Sequence, residues 1–326
     1  MPVDAWYKQW KSLYKDPKGL TAKSLGMYDE KYLKYIKPRI GRLKLKDVKD
    51  VHLQRILNEQ AWMSASHVKK VRMVMQELFK RARQSRLIVY DPAELLELPT
   101  MTEGKRRSVT DEERTAILAV AERHRAGLWI LTLLYTGIRP GETAALMWSD
   151  VDFERNEIYV HSVKESGSTE IKGPKTAAVV RDIPIHSALR PRLLAAKGEP
   201  FSPVFPNIHG TNIHGTNMDD DTLYRRWRSF IRALDIYMGA EVYRNKIVRS
   251  VVSTDLTPYC LRHTFCTDLQ RVGIPLNVSK ELMGHSDVSV TANIYTHKDS
   301  GVLHAGIALL DGTNKKQRDR QKAESE

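Results

Sequence analysis

Five residues in the C-terminal half of the chain have side chains suited to one phosphoryl-transfer reaction. They are Arg139 in TGIRPGE, Lys175 in GPKTAAVVRDIPI, Arg262 in YCLRHTFCT, His285 in LMGHSD and Tyr295 in NIYTH. Two guanidinium groups, an ammonium and an imidazole can surround a phosphate, and a phenol can attack it. These residue types fit cutting and rejoining of DNA through a phosphotyrosine, without a metal or cofactor.

The two arginines are expected to stabilise charge on the nonbridging oxygens of the phosphate, because a guanidinium donates two parallel hydrogen bonds. Gly137 predicts a sharp turn before Arg139, and Pro140 predicts a helix start. Glu142, three residues after Arg139, is expected to fix that guanidinium or a neighbouring histidine. Either arginine alone is better explained as a surface ion pair, so the hypothesis depends on the whole set.

The proposed acid is Lys175, which follows a Gly-Pro turn and would protonate the leaving 5′ oxygen. Lys164 and Lys172 compete for this role. His285 follows Gly284, which is typical of a helix C-terminus, although a helix-capping or surface histidine is the simpler reading. The nucleophile would be Tyr295, whose ordinary pKa of about 10 requires help from neighbouring cations or a base.

The elements that position these residues are mostly helices. Apolar residues recur at helical spacing over residues 22–37, 51–59, 66–86 and 222–234, and a capping box at Thr110 and Glu113 predicts another helix start. Residues 156–164 and 179–185 alternate like strands of a small antiparallel sheet. After Pro203 we expect mainly helices, with the repeated IHGTN segment as a duplicated loop rather than a histidine metal site. The fold class predicted is mainly α with a small antiparallel sheet (α+β).

The net positive charge of the chain indicates a negatively charged partner. The chain carries a net charge of +13, and residues 1–100 hold 21 Lys and Arg against 11 Asp and Glu. A basic N-terminal third is suited to phosphate backbones, although a generally basic surface gives the same excess. The expected DNA contacts are basic residues of the 66–86 helix and of the following linker: Lys69, Arg72, Lys80, Arg83, Lys105, Arg106 and Arg107.

The motifs LRHTF, LMGHSD and NIYTH together resemble those of tyrosine recombinases, closest to integrases of phages and conjugative transposons. The resemblance covers both halves of the chain. It implies a helical core-type DNA-binding domain (1–95), a linker (96–109), a catalytic domain (110–299) and a C-terminal helix with a charged tail (300–326). It also assigns the five residues above to catalytic positions.

By the same resemblance, the protein integrates or excises a mobile element by site-specific strand exchange through a 3′-phosphotyrosine and a Holliday junction. The implied partners are double-stranded DNA and an accessory excision or DNA-bending protein. Four copies of the chain would assemble in the synapse, and no membrane association is implied. We expect a cytoplasmic, nucleoid-associated protein, because no signal peptide or membrane span is evident. The C-terminal helix is expected to pack on a neighbouring protomer, with docking on its own domain as the alternative.

One position departs from the family pattern. Tyr259 stands three residues before Arg262, where the family usually has histidine. A phenol there can still hydrogen-bond a phosphate but is a poor base at neutral pH. Two other hypotheses stay open: an enzyme similar to type IB topoisomerases, which have similar Arg, Lys, His and Tyr chemistry, and a DNA-binding protein without catalytic activity, which Tyr259 alone supports.

Overall fold

The computed structural model describes residues 1–101, 107–164, 171–172, 180–209 and 212–285. The chain divides into two compact units, Met1–Lys105 and Arg106–Glu326. This division lies inside the segment 96–109 that the sequence suggests as a linker. The start of that segment belongs to the first unit, since Leu96 is buried in its core and Leu98 and Met101 pack against it.

The first unit is helical, and its core is rich in aromatic side chains. Trp6 and Trp10 are buried, the Trp6 indole donates to the Leu78 carbonyl at 3.1 Å, and the rings of Tyr7 and Tyr32 stack 3.5 Å apart. The first helix was not predicted from the sequence. The helices are α1 (Val3–Tyr14), α2 (Ala22–Lys31), α3 (Lys37–Ile40), α4 (Asp50–Asn58) and α5 (Ala65–Gln84).

The sequence predicts that the helix over residues 22–37 ends at Pro38 and Gly41, but the helical segment continues through Pro38. A π turn at Tyr32–Ile36 joins α2 to α3, and Pro38 lies in the first turn of α3. Proline is tolerated in a first turn because its missing N–H has no intrahelical partner there. The prediction about Pro38 was therefore wrong, whereas Gly41 does follow the last helical residue.

The second unit contains the remaining helices. Its capping box is confirmed: the Thr110 hydroxyl accepts from the Glu113 N–H at 3.1 Å, and the Glu113 carboxylate accepts from the Thr110 N–H at 2.9 Å. The helices are α6 (Asp111–Ala121), α7 (Gly127–Thr136), α8 (Pro140–Thr143), α9 (Arg190–Ala195), α10 (Asp220–Tyr237), α11 (Pro258–Arg271) and α12 (Leu276–Met283). None of the helices among these described residues is both long and apolar enough to cross a bilayer.

The predicted small sheet is confirmed. Its strands run in the order β1-β2-β5, are antiparallel and pair Ile158 with Ile183, both buried. A separate pair, β3-β4, follows β2 in the chain. The strands are β1 (Val151–Asp152), β2 (Glu157–Val160), β3 (Val163–Lys164), β4 (Ile171–Lys172) and β5 (Arg181–Pro184).

The described residues after Pro203 are mainly helical, as expected, but they also form two hairpins that were not expected. The two IHGTN repeats do not form a simple loop, because they contribute to the paired strands β6 (Pro206–His209) and β7 (Asn212–Asn217). A second hairpin joins β8 (Glu241–Tyr243) to β9 (Lys246–Arg249). Its turn residues Arg244 and Asn245 have φ of 45° and 63°. Positive φ at both positions suits the turn that matches strand twist.

The core of the second unit is centred on α7. Nearly every residue of this helix is buried, and α7 packs against α11. The Trp129 indole donates to the Thr143 hydroxyl at 2.9 Å, which ties α7 to α8. These three helices carry or adjoin both candidate arginines. The fold class is therefore mainly α with small antiparallel sheets, as predicted.

Candidate active site

Three of the five predicted catalytic residues lie within the described structure, and it brings them together. Arg139 and Arg262 both donate to backbone carbonyls in the turn that precedes His285. The other two, Lys175 and Tyr295, lie outside the described residues, so their roles stay predictions.

Arg139 lies at the start of α8, as predicted. Helix α7 ends at Gly137, which has φ of 63°, and Pro140 occupies the first turn of α8. The Arg139 guanidinium donates to Glu142 Oε1 at 2.6 Å and to the Gly284 carbonyl at 2.8 Å. The Arg139 backbone N–H donates to Glu142 Oε2 at 2.9 Å. Glu142 therefore fixes this guanidinium, which is one of the two roles expected for it.

Arg262 lies in the first turns of α11, which begins after Thr257. The residue is only 4% exposed. Its two terminal nitrogens donate to the carbonyls of Gly137 and Met283, the C-terminal ends of α7 and α12. A guanidinium has five N–H donors, so three remain after these two bonds to residues that the structure describes. Arg262 thus joins two helix ends while keeping donors for a ligand.

His285 is held directly after α12. Gly284 caps this helix in the left-handed conformation, with φ of 60°, and the His285 N–H donates to the Lys280 carbonyl at 3.1 Å. This is the helix-terminal glycine that the sequence predicted. The imidazole is buried, with 8% of the residue exposed.

Three successive carbonyls at the end of α12 each accept a hydrogen bond from a different arginine. Leu282 accepts from Arg181 Nε at 2.9 Å, Met283 accepts from Arg262, and Gly284 accepts from Arg139. Cations are favourable at this end of a helix, because its last carbonyls carry partial negative charge. The three guanidinium groups therefore converge on the turn that leads into His285.

Arg181 was missed by the sequence analysis. It lies at the start of β5, and its side chain is 2% exposed. Its guanidinium donates to Glu142 Oε2 at 2.8 Å. Burial raises the pKa of the Glu142 carboxyl, but the hydrogen bond from Arg181 and the charges of Arg181 and Arg139 outweigh burial and lower it overall. Glu142 is therefore an anion shared by two arginines.

Burial and neighbouring cations together set the protonation of the site. Burial, followed by the charges of Arg262 and Arg139, lowers the pKa of His285 to about 4. Burial and the charge of Arg139 lower the pKa of Arg262 to about 9. At neutral pH the imidazole is therefore neutral and Arg262 remains cationic. Arg139, Arg181 and Arg262 against Glu142 leave two more positive charges than negative, which suits an anionic ligand.

Two neighbouring candidates differ in their surroundings. Tyr259 is one helical turn before Arg262 and is 53% exposed, so its phenol remains accessible to a ligand. Lys164, a competitor of Lys175, is buried and donates to the Met218 carbonyl at 2.6 Å. This bond gives Lys164 a structural role inside the second unit.

The predicted DNA-contact residues of α5 lie on its accessible side. Lys69 and Lys80 are exposed, and Arg83 is exposed and pairs with Glu94 at 3.1 Å. Arg72 is half-buried and directs one terminal nitrogen towards the Leu96 carbonyl at 3.4 Å. DNA contact by these residues stays a prediction.

The linker arginines are described only at Arg107, since Lys105 and Arg106 lie outside the described residues. Arg107 donates to both oxygens of Glu113, at 2.6 and 2.7 Å, and to Asp255 at 2.9 Å. Its guanidinium thus joins the start of α6 to the segment before α11. A contact between Arg107 and DNA would compete with these ion pairs and stays a prediction.

The arrangement can bind an anion and stabilise charge that develops on it. Two fixed guanidinium groups and a neutral imidazole suit a phosphodiester whose oxygens gain charge under attack. Among residues 1–101, 107–164, 180–207 and 216–285, no group of three or more His, Cys, Asp or Glu side chains could hold a metal ion.

Comparison with known proteins identifies the protein family. A sequence profile of the phage integrase family matches residues 107–301. A tyrosine recombinase XerC-like protein of Caldanaerobacter subterraneus subsp. tengcongensis is 27% identical over 297 residues, which cover 83% of this chain and 73% of the relative.

Solved structures share the fold. The Tn1549 transposon integrase in complex with transposon right end DNA has a TM-score of 0.77 at 19% identity, covering 95% of this chain and 100% of that one. A lambda integrase tetramer bound to a Holliday junction has a TM-score of 0.65 at 18% identity, covering 92% and 80%. The profile match extends over more than half of the chain and includes the three clustered site residues. The chain therefore belongs to the phage integrase family, and it is a tyrosine recombinase.

Proposed function

We propose that the protein recombines DNA at specific sites by cutting and rejoining strands through Tyr295, and that this reaction integrates or excises a mobile element. The observation that carries this proposal is the convergence of Arg139 and Arg262 on the turn before His285. A phosphate bound there would face two guanidinium groups and a neutral imidazole. The similarity to a transposon integrase supports a mobile-element substrate.

In the proposed reaction the Tyr295 oxygen attacks phosphorus while the bond from phosphorus to the 5′ oxygen breaks. Lys175 gives a proton to the departing 5′ oxygen, and the phosphate stays joined to the tyrosine and to the 3′ end of the DNA. Attack by the 5′ hydroxyl of another strand reverses the step and releases the tyrosine. Exchange of one strand pair produces a Holliday junction, and exchange of the second pair resolves it.

The clustered side chains have separate parts in this reaction. Arg139 and Arg262 stabilise the charge that develops on the nonbridging oxygens, and their existing backbone bonds hold them in place before the DNA arrives. His285 is neutral at pH 7, so its imidazole can donate to one of those oxygens or accept the phenol proton. Tyr259 has room to add a further hydrogen bond to the phosphate.

The assembly proposed is four copies of the chain on two DNA sites. A tetramer on a Holliday junction is known for lambda integrase, which shares the fold. The C-terminal helix would link neighbouring copies, and an accessory protein that bends DNA would favour one direction of exchange. The protein would act on DNA in the cytoplasm and associate with the nucleoid.

A covalent-trapping experiment tests this function. The substrates are nicked duplexes tiled across the DNA that flanks the coding region, so that a cut releases a short 5′ fragment and traps the protein. Wild type should form an adduct, and Arg139→Ala should form it at least about 100-fold more slowly. Arg155→Ala is the matched control, because Arg155 is an exposed arginine that pairs with Asp152.

Strand exchange between two such duplexes separates a recombinase from an enzyme that only relaxes supercoils. Recombinant products are expected from the duplexes that trap the protein. Adduct formation with relaxation but without exchange would favour the topoisomerase alternative. Failure of wild type to form an adduct with any flanking duplex would contradict the proposed function.

A further inference from the structure

Arg181 is a buried cation that the proposed chemistry leaves without a role. It is the first residue of β5, and its side chain is 2% exposed. A buried guanidinium is unfavourable unless it is paired and hydrogen-bonded. Its contacts therefore indicate what this residue does for the fold or for the site.

The Arg181 guanidinium contacts two separate parts of the fold. Nη2 donates to Glu142 Oε2 at 2.8 Å, and Nη1 lies 3.4 Å from Glu142 Oε1. Nε donates to the Leu282 carbonyl at 2.9 Å. A planar guanidinium holds these donors at fixed angles, so the position of Glu142 and that of the end of α12 are coupled through one rigid group.

Each contact leads to a residue of the candidate active site. Glu142 accepts hydrogen bonds from both the side chain and the backbone N–H of Arg139. Leu282 lies three residues before His285, in the turn whose other two carbonyls bind Arg139 and Arg262. Arg181 therefore bonds directly to Glu142, the partner of Arg139, and to the turn that precedes His285.

Space around Arg181 is limited by Gly284. A Cβ atom at position 284 would lie 2.7 Å from Arg181 Nη1 and 3.0 Å from Cζ. The guanidinium is therefore packed against the left-handed glycine that caps α12. A different side chain at position 181 would change both the hydrogen bonds and the packing of this turn.

We infer that Arg181 is a positioning residue for DNA cleavage, which fixes Arg139 through Glu142 and His285 through the C-terminal turn of α12. This inference rests on the proposed function. Arg181 acts through its neighbours, because its side chain is buried and donates to Glu142 and to the Leu282 carbonyl. A displacement of about 1 Å at a reacting group can slow a reaction about 100-fold, so loss of this anchor should slow cleavage more than binding.

The decisive variant is Arg181→Lys. It keeps the positive charge beside Glu142, but it removes the Nε–H that binds the Leu282 carbonyl. Arg181→Met removes the charge as well. Arg155→Met provides the matched control, because this exposed arginine lies in the same unit and pairs only loosely with Asp152, at 3.9 Å.

Three quantities are measured on the full-length variants with the nicked flanking duplexes as probe: thermal stability, DNA affinity and the single-turnover rate of adduct formation. We expect Arg181→Lys to bind DNA within about twofold of wild type and to cleave it about 10- to 100-fold more slowly. Arg155→Met should match wild type in all three. Cleavage by Arg181→Lys within about twofold of wild type would overturn the inference.

A second readout does not depend on DNA cleavage. After burial, the charges that lower the pKa of His285 are those of Arg262, Arg139, His263 and Arg181. NMR titration of histidine-labelled protein, assigned with His285→Gln, should show the His285 resonance titrating at higher pH in Arg181→Lys than in wild type, because the loosened turn exposes the imidazole while the charge at position 181 is kept. An Arg181 that contributes only its charge would leave this titration unchanged in folded Arg181→Lys.

The two readouts separate failure of the inference from failure of the function. If wild type forms no adduct, the proposed function fails, and the titration alone decides whether Arg181 positions His285. An unchanged His285 titration would then overturn the inference. If Arg181→Met does not fold, the comparison of wild type with Arg181→Lys decides. If wild type does form the adduct, slow cleavage by folded, DNA-bound Arg181→Lys supports the inference.

Discussion

At the residue scale, the site is built from cations that are already hydrogen-bonded to the backbone. Arg262 and Arg139 each donate to a helix-terminal carbonyl, and Arg139 also pairs with Glu142. Such bonds reduce the number of rotamers open to a long side chain, so less entropy is lost when a phosphate binds. The arginines also concentrate positive charge in the site, and among the described residues of this cluster only the Glu142 carboxylate offsets it.

The site residues themselves could be predicted from the sequence, but the contacts that hold them in place could not. Arg139 and His285 have a glycine or a proline next to them, and Arg262 lies four residues after Pro258, so the helix starts and ends that carry these residues can be predicted. Arg181 looks like one arginine among many, and its carboxylate partner Glu142 lies 39 residues earlier in the chain. Only the three-dimensional fold shows that this β5 residue bonds Glu142 of α8 and Leu282 of α12.

Replacement of Tyr259 should have small effects. Because the residue is 53% exposed, neither Tyr259→Phe nor Tyr259→His leaves a buried cavity. Loss of one hydrogen bond to the phosphate should slow adduct formation by Tyr259→Phe about 10-fold. Tyr259→His should cleave at a rate close to that of wild type, since the family pattern has an imidazole there. A folded, DNA-bound histidine variant without activity would show that this position works differently here.

Protonation of His285 should destabilise the fold in acid. The unfolded imidazole has a pKa of about 6.5, whereas burial and the nearby arginines lower the folded value to about 4. The unfolded state therefore binds the proton first, and stability falls as pH drops from about 6.5 towards 4. Below the folded pKa, this contribution has been lost completely.

Urea unfolding at pH 7 and pH 4.5 measures this effect. Wild type should lose about 2–3 kcal/mol more of its unfolding free energy than His285→Gln over this range. Other groups titrate in both proteins, so the difference isolates His285. Equal losses in the two proteins would mean that His285 is not held as a neutral buried imidazole.

At the element scale, helix ends position the chemistry. Helices α7 and α12 both end at left-handed glycines, Gly137 and Gly284, and their last carbonyls hold the arginines. These ends could be predicted because a glycine after an apolar helical pattern is a local signal. The hairpins β6-β7 and β8-β9 were not predicted, because strand pairing depends on contacts that a periodicity of a few residues does not specify.

Replacement of Gly284 tests whether the end of α12 positions the site. Gly284→Ala forces a Cβ into a left-handed residue and into the Arg181 guanidinium, 2.7 Å away. Gly273→Ala is the matched control, because Gly273 has φ of 77° but its Cβ would meet nothing within 4 Å. Both variants should lose about 1–2 kcal/mol of unfolding free energy from backbone strain.

Only Gly284→Ala should lose more than this and also cleave DNA at least about 10-fold more slowly. The measurements are urea unfolding and single-turnover adduct formation. Equal stability and equal cleavage rates in the two glycine variants would show that the packing of Gly284 on Arg181 does not matter for the site.

At the scale of the whole molecule, charge is divided unevenly. Residues 1–100 hold an excess of ten Lys and Arg over Asp and Glu, in a chain whose net charge is +13. This excess could be predicted to bind phosphates, since net charge acts over long range and needs no detailed geometry. The particular side chains that contact DNA could not be predicted with the same ease, because several are paired within the fold, as Arg107 and Arg83 are.

DNA affinity should therefore fall steeply with salt. Each neutralised phosphate contributes about −0.9 to the slope of log affinity against log salt concentration. Lys80→Gln, on the exposed side of α5, should make the slope about 0.9 less negative. Arg192→Gln, whose guanidinium pairs with Glu122, is the control and should leave the slope unchanged. A wild-type slope near zero would contradict backbone binding by the basic unit.

The most direct test concerns the nucleophile. Tyr295→Phe removes one hydroxyl and keeps an aromatic ring, so the variant should fold and bind DNA but form no covalent adduct. Wild type, given nicked flanking duplexes in the presence of a chelator, should become joined to the DNA 3′ phosphate, with the adduct mapped to Tyr295. An adduct on Tyr259 or any other tyrosine, or cleavage that the chelator abolishes, would contradict the proposed mechanism.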